Sequence, residues 1–355
     1  MVQTDVLIIG GGLTGLTLQH LLRNLPLKVV LVEGRKRLGG RILTHREPGG
    51  APIEMGATWL GSQHTRLGSL LEGLGLETFP QKLGEKAFYE WISTSPPQLV
   101  DLPPNNAPSY RIRGGTDSLI AALAAALDPA TRFLGERVET IRSLPAGLRV
   151  TGTGRTLEAQ MVVSTLPPYL FLQTIQVFPK LPADLAGVME KTHTWMGESI
   201  KFGLSCPAPF WDEPTSSGTV FSNVGPVSEM YDHSRYEGDA FALKGFLDGS
   251  YASLGYGERK AMVLKQLKKY YGARTDDFTA YFETVWAREP LTYAPYSTAV
   301  LPHQNNGHPL FREPCLGGRL VLAGSETAPE FPGYMEGAVA SAGSAFNRVR
   351  EFLMP

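Results

Sequence analysis

Residues 6–15 read Val6-Leu7-Ile8-Ile9-Gly10-Gly11-Gly12-Leu13-Thr14-Gly15, and the reading of this stretch decides the fold. A short apolar run with β-branched residues predicts a buried strand, and the spacing of Leu16, Leu18, Leu21 and Leu22 predicts the helix that follows. The glycines between them have separate uses. Gly10 makes the tight turn, Gly12 lets a pyrophosphate approach the backbone, and Gly15 lets helix and strand pack closely. Thr14, inside the same turn, joins them as a cofactor-binding candidate. Residues 28–32 supply a second strand that ends at Glu33, whose carboxylate can accept ribose hydroxyls and would repel a 2'-phosphate. Strand, glycine turn, helix, strand and acid in this order predict a dinucleotide site.

The bulk of the chain narrows the partners. With 355 residues it can bury a large core, and two domains are expected. Lys plus Arg number 33 against 34 Asp plus Glu, so no overall field draws the protein to nucleic acid or to an anionic membrane. The N-terminus lacks a basic n-region and no apolar run is long enough to span a bilayer, so neither signal peptide nor membrane span is expected. Cys206 and Cys315 show no CxxC spacing, which suits a reducing compartment; the cytoplasm is the expected location. None of the seven histidines pairs at metal-ligand spacing, so no metal is expected and redox chemistry falls to an organic cofactor.

A second corner stands near the C-terminus. Leu320-Val321-Leu322-Ala323 meets Gly324-Ser325-Glu326-Thr327 and then Gly333-Tyr334-Met335-Glu336-Gly337-Ala338, which reads as strand, turn and helix start. The free amides of that helix would face the cofactor with partial positive charge. In letters, GSETAPEFPGYMEGAV resembles the C-terminal segment of the flavin-dependent amine oxidases, the family that includes the monoamine and polyamine oxidases. Glu33-Gly34-Arg35 followed by Leu38-Gly39-Gly40-Arg41 resembles the segment that carries the adenosine and diphosphate of FAD in that family, with Arg41 toward the pyrophosphate. Gly56-Ala57-Thr58-Trp59 resembles the segment that passes the flavin ring, and Val138 matches a valine whose backbone meets the adenine.

The resemblance implies an α/β fold: a Rossmann-like FAD-binding domain with a second domain of mixed sheet plus helix that binds substrate, as in p-hydroxybenzoate hydroxylase. Proline clusters place the boundaries. Residues 1–79, 113–166 and 289–355 are assigned to the FAD domain and residues 80–112 and 167–288 to the substrate domain, the chain leaving the first domain at Pro167. The monoamine oxidases carry a longer helical block where this chain has residues 80–112, so a more open chamber, or one covered by a second subunit in a homodimer, is expected. No counterpart of their membrane-anchoring tail is expected after the last helix.

Period-two alternation over residues 199–205 puts Lys201 on one strand face with Ser199, Gly203 and Ser205. By resemblance Lys201 is the lysine held near flavin N5. Trp286 and Glu326 would contact the cofactor, Glu326 on the ribityl chain, with Tyr334 and Met335 beside the ring. Tyr296 and Tyr334 would form an aromatic pair clamping the substrate nitrogen. Pro295 occupies the position of the cysteine that bonds the flavin in mitochondrial monoamine oxidases, which implies noncovalent FAD. The implied reaction takes a neutral primary or secondary amine to an imine, reduces O2 to H2O2, and leaves an aldehyde or ketone after hydrolysis. A desaturase or protoporphyrinogen-oxidase-like enzyme and a non-catalytic flavin-binding subunit are the alternatives. Phe246 would wall the pocket by analogy, and the amine itself is left open.

Overall fold

The computed structural model describes residues 2–355. The predicted first strand forms as Val2–Ile9 and lies between two parallel neighbours, Val29–Glu33 and Thr156–Ser164. The strand Thr156–Ser164 has two partners on its other side. Its first half pairs antiparallel with Gly147–Gly152 and its second half parallel with Leu320–Leu322. Ile9 is therefore in register with Ser164, and Ser164 with Leu322, so the turns that follow Ile9 and Leu322 open at one sheet edge. Ligands in open α/β sheets bind at such carboxyl ends.

The helix Leu13–Leu22 packs against the C-terminal helix Met335–Leu353 over this edge. Leu16, Leu18 and Leu22 meet Ala338, Ala342, Ala345 and Val349 in one core. Each fully buried leucine adds roughly 1.5–3 kcal/mol over its exposed state. The small residues on the C-terminal helix let the two axes approach, as the run Gly337, Ala338, Ser341, Ala342 implies. An added Cβ at Gly337 would come within 2.3 Å of the Phe331 carbonyl.

The second sheet has seven strands in the order Ala280–Val285, Ile200–Cys206, Phe241–Leu247, Val227–Asp232, Val220–Ser222, Lys86–Glu90 and Gln98–Asp101. The helix Tyr256–Tyr271 covers one face, burying Phe202, Leu204 and Met230 with Val263 and Leu267. The opposite face meets Ile53 and Met55. Gly203 leaves no room for a side chain there, since a Cβ would fall 2.4 Å from Ile53 Cγ2.

One expected boundary moves. The chain does not leave the first sheet at Pro167: Pro168–Thr174 is a helix, Gln176–Phe178 adds a strand beside Val138–Leu144, and Ala183–Glu190 packs Leu185 and Met189 into the core under Leu7, Val30 and Ile141. Pro168 is a helix start, where the missing N–H costs nothing, and not an exit. The next strand begins at Val138, just after Glu136. The Glu136 carboxylate accepts the amides of Gly154 at 2.7 Å and Arg155 at 3.1 Å, tying down the neighbouring hairpin turn.

Candidate active site

Glu33 closes the nucleotide corner. It is buried, and its two carboxylate oxygens accept the amides of Gly11 and Arg35, each at 2.7 Å. Gly15 is forced: an added Cβ would stand 2.0 Å from the Gly10 carbonyl oxygen. Gly10 and Gly40 adopt φ of 108° and 58°, in the left-handed range that glycine tolerates. Gly12 faces Gly40 backbone to backbone, an approach that leaves the turn open to a phosphate. Arg35 points elsewhere, its guanidinium pairing with Glu289 at 2.8 Å.

Thr14, Arg41, Gly56, Ala57, Thr58, Trp59, Lys201, Trp286, Tyr334 and Met335 line one cavity of about 330 Å³, together with Phe246. On the other side of the Gly10 turn a hollow of about 40 Å³ is lined by Gly10, Gly34, Val138 and Leu291. Two cavities flanking a bare glycine turn fit the two ends of a dinucleotide. The first turn of Met335–Leu353 has no side-chain cap, so its amides stay free for the cofactor. A larger surface hollow of about 610 Å³ at Arg46, Glu77, Arg113, Arg235 and Glu237 contains none of these residues. Arg113 there pairs with both of its acids, Glu77 and Glu237, at 2.7 and 2.9 Å.

Arg41 and Glu326 are bound to each other. Two parallel bonds of 2.5 and 2.8 Å join the guanidinium to the carboxylate, and Ser325 and the Trp195 carbonyl complete the fork. Glu326 is fully buried; burial pushes its pKa up, but the Arg41 charge and hydrogen bonds hold it below the usual carboxylate range. Trp286 is anchored through Nε1, which donates to the Met55 carbonyl at 2.7 Å.

Lys201 is buried in Ile200–Cys206, and its Nζ donates to the Gly56 carbonyl at 2.5 Å. Burial pushes its pKa down to about 8, against the pull of Glu54 and Glu229. Its ammonium sits 4.8 Å from the centroid of Phe246.

The expected pair of tyrosines is not brought together. Tyr296 does not line the cavity; its hydroxyl donates to the Thr192 carbonyl at 2.9 Å and accepts the Thr194 amide at 2.7 Å, while its ring stacks on Tyr169 at 4.3 Å. Tyr334 instead meets Trp195, centroids 5.6 Å apart, and His303, which stacks on Trp195 at 3.9 Å and lies 6.1 Å from Tyr334. Trp195 escaped the sequence reading, although an aromatic six residues before a cavity lysine was its available signal. Glu229 escaped as well. It lines the cavity, and the Tyr231 hydroxyl donates to it at 2.8 Å; among the described residues no cation lies within 4.0 Å of it.

The family model of the flavin containing amine oxidoreductases matches residues 13–103 and 92–349. The chain belongs to that family, and its cofactor is FAD. It is 25% identical over 450 aligned positions to a Mycobacterium tuberculosis relative carried under the name flavin-containing monoamine oxidase AofH, covering 98% of this chain and 97% of the relative. The alignment is longer than the 355 residues present here, so that relative holds residues without counterpart. Putrescine oxidase, solved bound to putrescine, superposes with a TM-score of 0.84 at 23% identity over 99% of both chains. Cyclohexylamine oxidase from Brevibacterium oxydans superposes with a TM-score of 0.85 at 21% identity over 99% of this chain and 100% of its own. Both share the fold, and the protein is a flavin-containing amine oxidoreductase.

No helix among the described residues is long and apolar enough to cross a membrane, and no group of three or more His, Cys, Asp or Glu is arranged to hold a metal.

Proposed function

We propose that this enzyme oxidises one end of a short aliphatic diamine while Glu229 binds the other end. The observation that carries the reading is a row across the second sheet. Lys201 is in register with Phe246, and Phe246 with Glu229, so the three side chains share one face of three adjacent strands. At about 4.8 Å per strand, Lys201 and Glu229 stand roughly 10 Å apart at the backbone. A carboxylate with no cation within 4.0 Å, in an aromatic-walled cavity, favours a ligand that brings its own charge.

FAD, which residues 56–59 would hold, would supply a two-electron acceptor for the amine's α-C–H, with O2 as the final acceptor giving H2O2 and water hydrolysing the imine product to an aldehyde. The protein's part is to place that carbon. Trp59 and Phe246 wall the cavity and limit water, Tyr334 and Trp195 close its other side, and Lys201 holds the Gly56 carbonyl in place. The reacting nitrogen must be neutral to donate its lone pair, so turnover rises with pH as the bound amine loses its proton. Retention of FAD is noncovalent in this reading. Neither Cys206 nor Cys315 lines the cavity, and residue 295 is proline. The two unpaired thiols suit a cytoplasmic enzyme.

Steady-state peroxide release from 1,4-diaminobutane and from butylamine tests the proposal. The diamine should be preferred by about tenfold or more in kcat/KM, the worth of one charge-assisted contact. Equal constants for the two amines would remove the role given to Glu229.

A further inference from the structure

Lys244 lies at the centre of Phe241–Leu247 and is fully buried. Among the described residues no carboxylate lies within 4.0 Å of it. Its Nζ donates to the Thr58 hydroxyl and otherwise rests 4.1 Å from the Trp59 centroid and 5.2 Å from that of Phe246. Register places it on the Lys201 face, since Lys201 opposes Phe246 and Gly203 opposes Lys244. The two amines grip one segment at two points. Lys201 holds the Gly56 carbonyl, and the Thr58 hydroxyl held by Lys244 donates to that same carbonyl at 3.1 Å.

The charged and titratable groups around Lys244 come from four directions. Lys201 faces it from Ile200–Cys206, Glu229 and the directly opposed Tyr231 from Val227–Asp232 with His233 just beyond, Glu54 from the segment before Gly56, and Arg111 from Tyr110–Ile112. Glu54 is no free partner for it. That carboxylate bonds the buried His233 ring and sits 4.0 Å from Arg111. An ammonium at Lys244 would carry three donors toward one hydroxyl acceptor, with a second positive charge close by.

We propose that Lys244 is a positioning residue: as an uncharged amine it fixes Thr58 and Trp59, the wall between the flavin-facing segment and the substrate cavity, and protonation of that amine releases the wall. The proposal rests on FAD lying along residues 56–59 and not on which amine is oxidised. Burial, then the neighbouring Lys201 charge, push the Lys244 pKa well below the ordinary lysine range, which agrees with a neutral amine in the working enzyme.

The test is a pH titration of the holoenzyme's flavin absorbance, read with KM for an amine substrate, in the wild type and in Lys244→Met. The wild type should show two transitions, one at about 8 from Lys201 and a second on its acid side. Lys244→Met, which fills the same apolar slot, should retain FAD, keep the Lys201 transition and lose the acid one, and its KM should no longer depend on pH there. Thr58→Val keeps Lys244 but removes the acceptor that its neutral form holds, and should move the acid transition to higher pH, because the uncharged amine loses its one hydrogen bond while the released ammonium loses none. An acid transition of unchanged midpoint in either variant, or none in the wild type, overturns the proposal. A purely architectural lysine would leave the midpoint where it was.

Discussion

Lys201 and Glu229 stand on one face of the second sheet with Phe246 between them, one strand apart on either side. The Gly56 carbonyl is bonded to the first, and among the described residues no cation lies within 4.0 Å of the second. Glu229→Gln keeps the shape and the Tyr231 hydrogen bond but removes the charge. The loss of a charge-assisted contact of about 1.5–3 kcal/mol should lower kcat/KM for 1,4-diaminobutane by about 10- to 100-fold. Butylamine, which has no second ammonium, should change less than about threefold. A peroxide-coupled assay with both substrates decides it, and an equal loss on both would show that Glu229 serves only the wall.

Lys201→Met should make the protein more stable while impairing it as an enzyme. The folded protein holds the Lys201 pKa at about 8 against an unfolded value of 10.5, so between those limits the unfolded chain binds more protons and stability rises with pH. Below about 8 the buried ammonium carries its full penalty, at most about 3 kcal/mol from the shift. The variant should therefore gain roughly 1–3 kcal/mol in denaturant unfolding near neutral pH. That gain should shrink above about 8 and vanish near 10.5. A gain that does not depend on pH would mean that the charge is not its cause.

Gly15→Ala tests the nucleotide corner. A methyl group 2.0 Å from the Gly10 carbonyl oxygen has nowhere to go, because both the strand end and the helix start are backbone. Separating them should cost about 3 kcal/mol or more and open the turn that faces the pyrophosphate. The purified variant should be colourless, or lose its flavin on gel filtration; retention of a full complement of FAD would contradict the role given to this glycine.

The nucleotide corner was legible because its chemistry is local. A tight turn, a close helix and an acid at the next strand end each demand a residue type at a fixed place, and Gly10, Gly15 and Glu33 meet those demands within one βαβ unit. Lys201 was legible for a similar reason, as a cation among small residues in an alternating strand. Glu229 was not, because an acid at an alternating strand position reads as solvent-facing until the sheet order is known. Its place in the cavity follows only from the pairing of Val227–Asp232 with Phe241–Leu247, a contact between segments that sequence spacing does not specify. Tyr296 shows the opposite failure. The family resemblance placed it opposite Tyr334, yet the loop that leads to it carries Pro290 and Pro295, and its hydroxyl is satisfied by Thr192 and Thr194 outside the cavity. Arg41 and Glu326 were each assigned to the cofactor separately, and their pairing required the two chain ends to meet at one sheet edge.

Anaerobic mixing of the FAD-loaded enzyme with an amine tests the central claim most directly, since it reads electron transfer from substrate without dependence on O2. The account predicts that 1,4-diaminobutane bleaches the yellow absorbance band, faster as pH rises, and that admitting air restores the colour with release of peroxide. An enzyme that binds FAD and stays yellow with diamines, alkylamines and arylamines alike would contradict it.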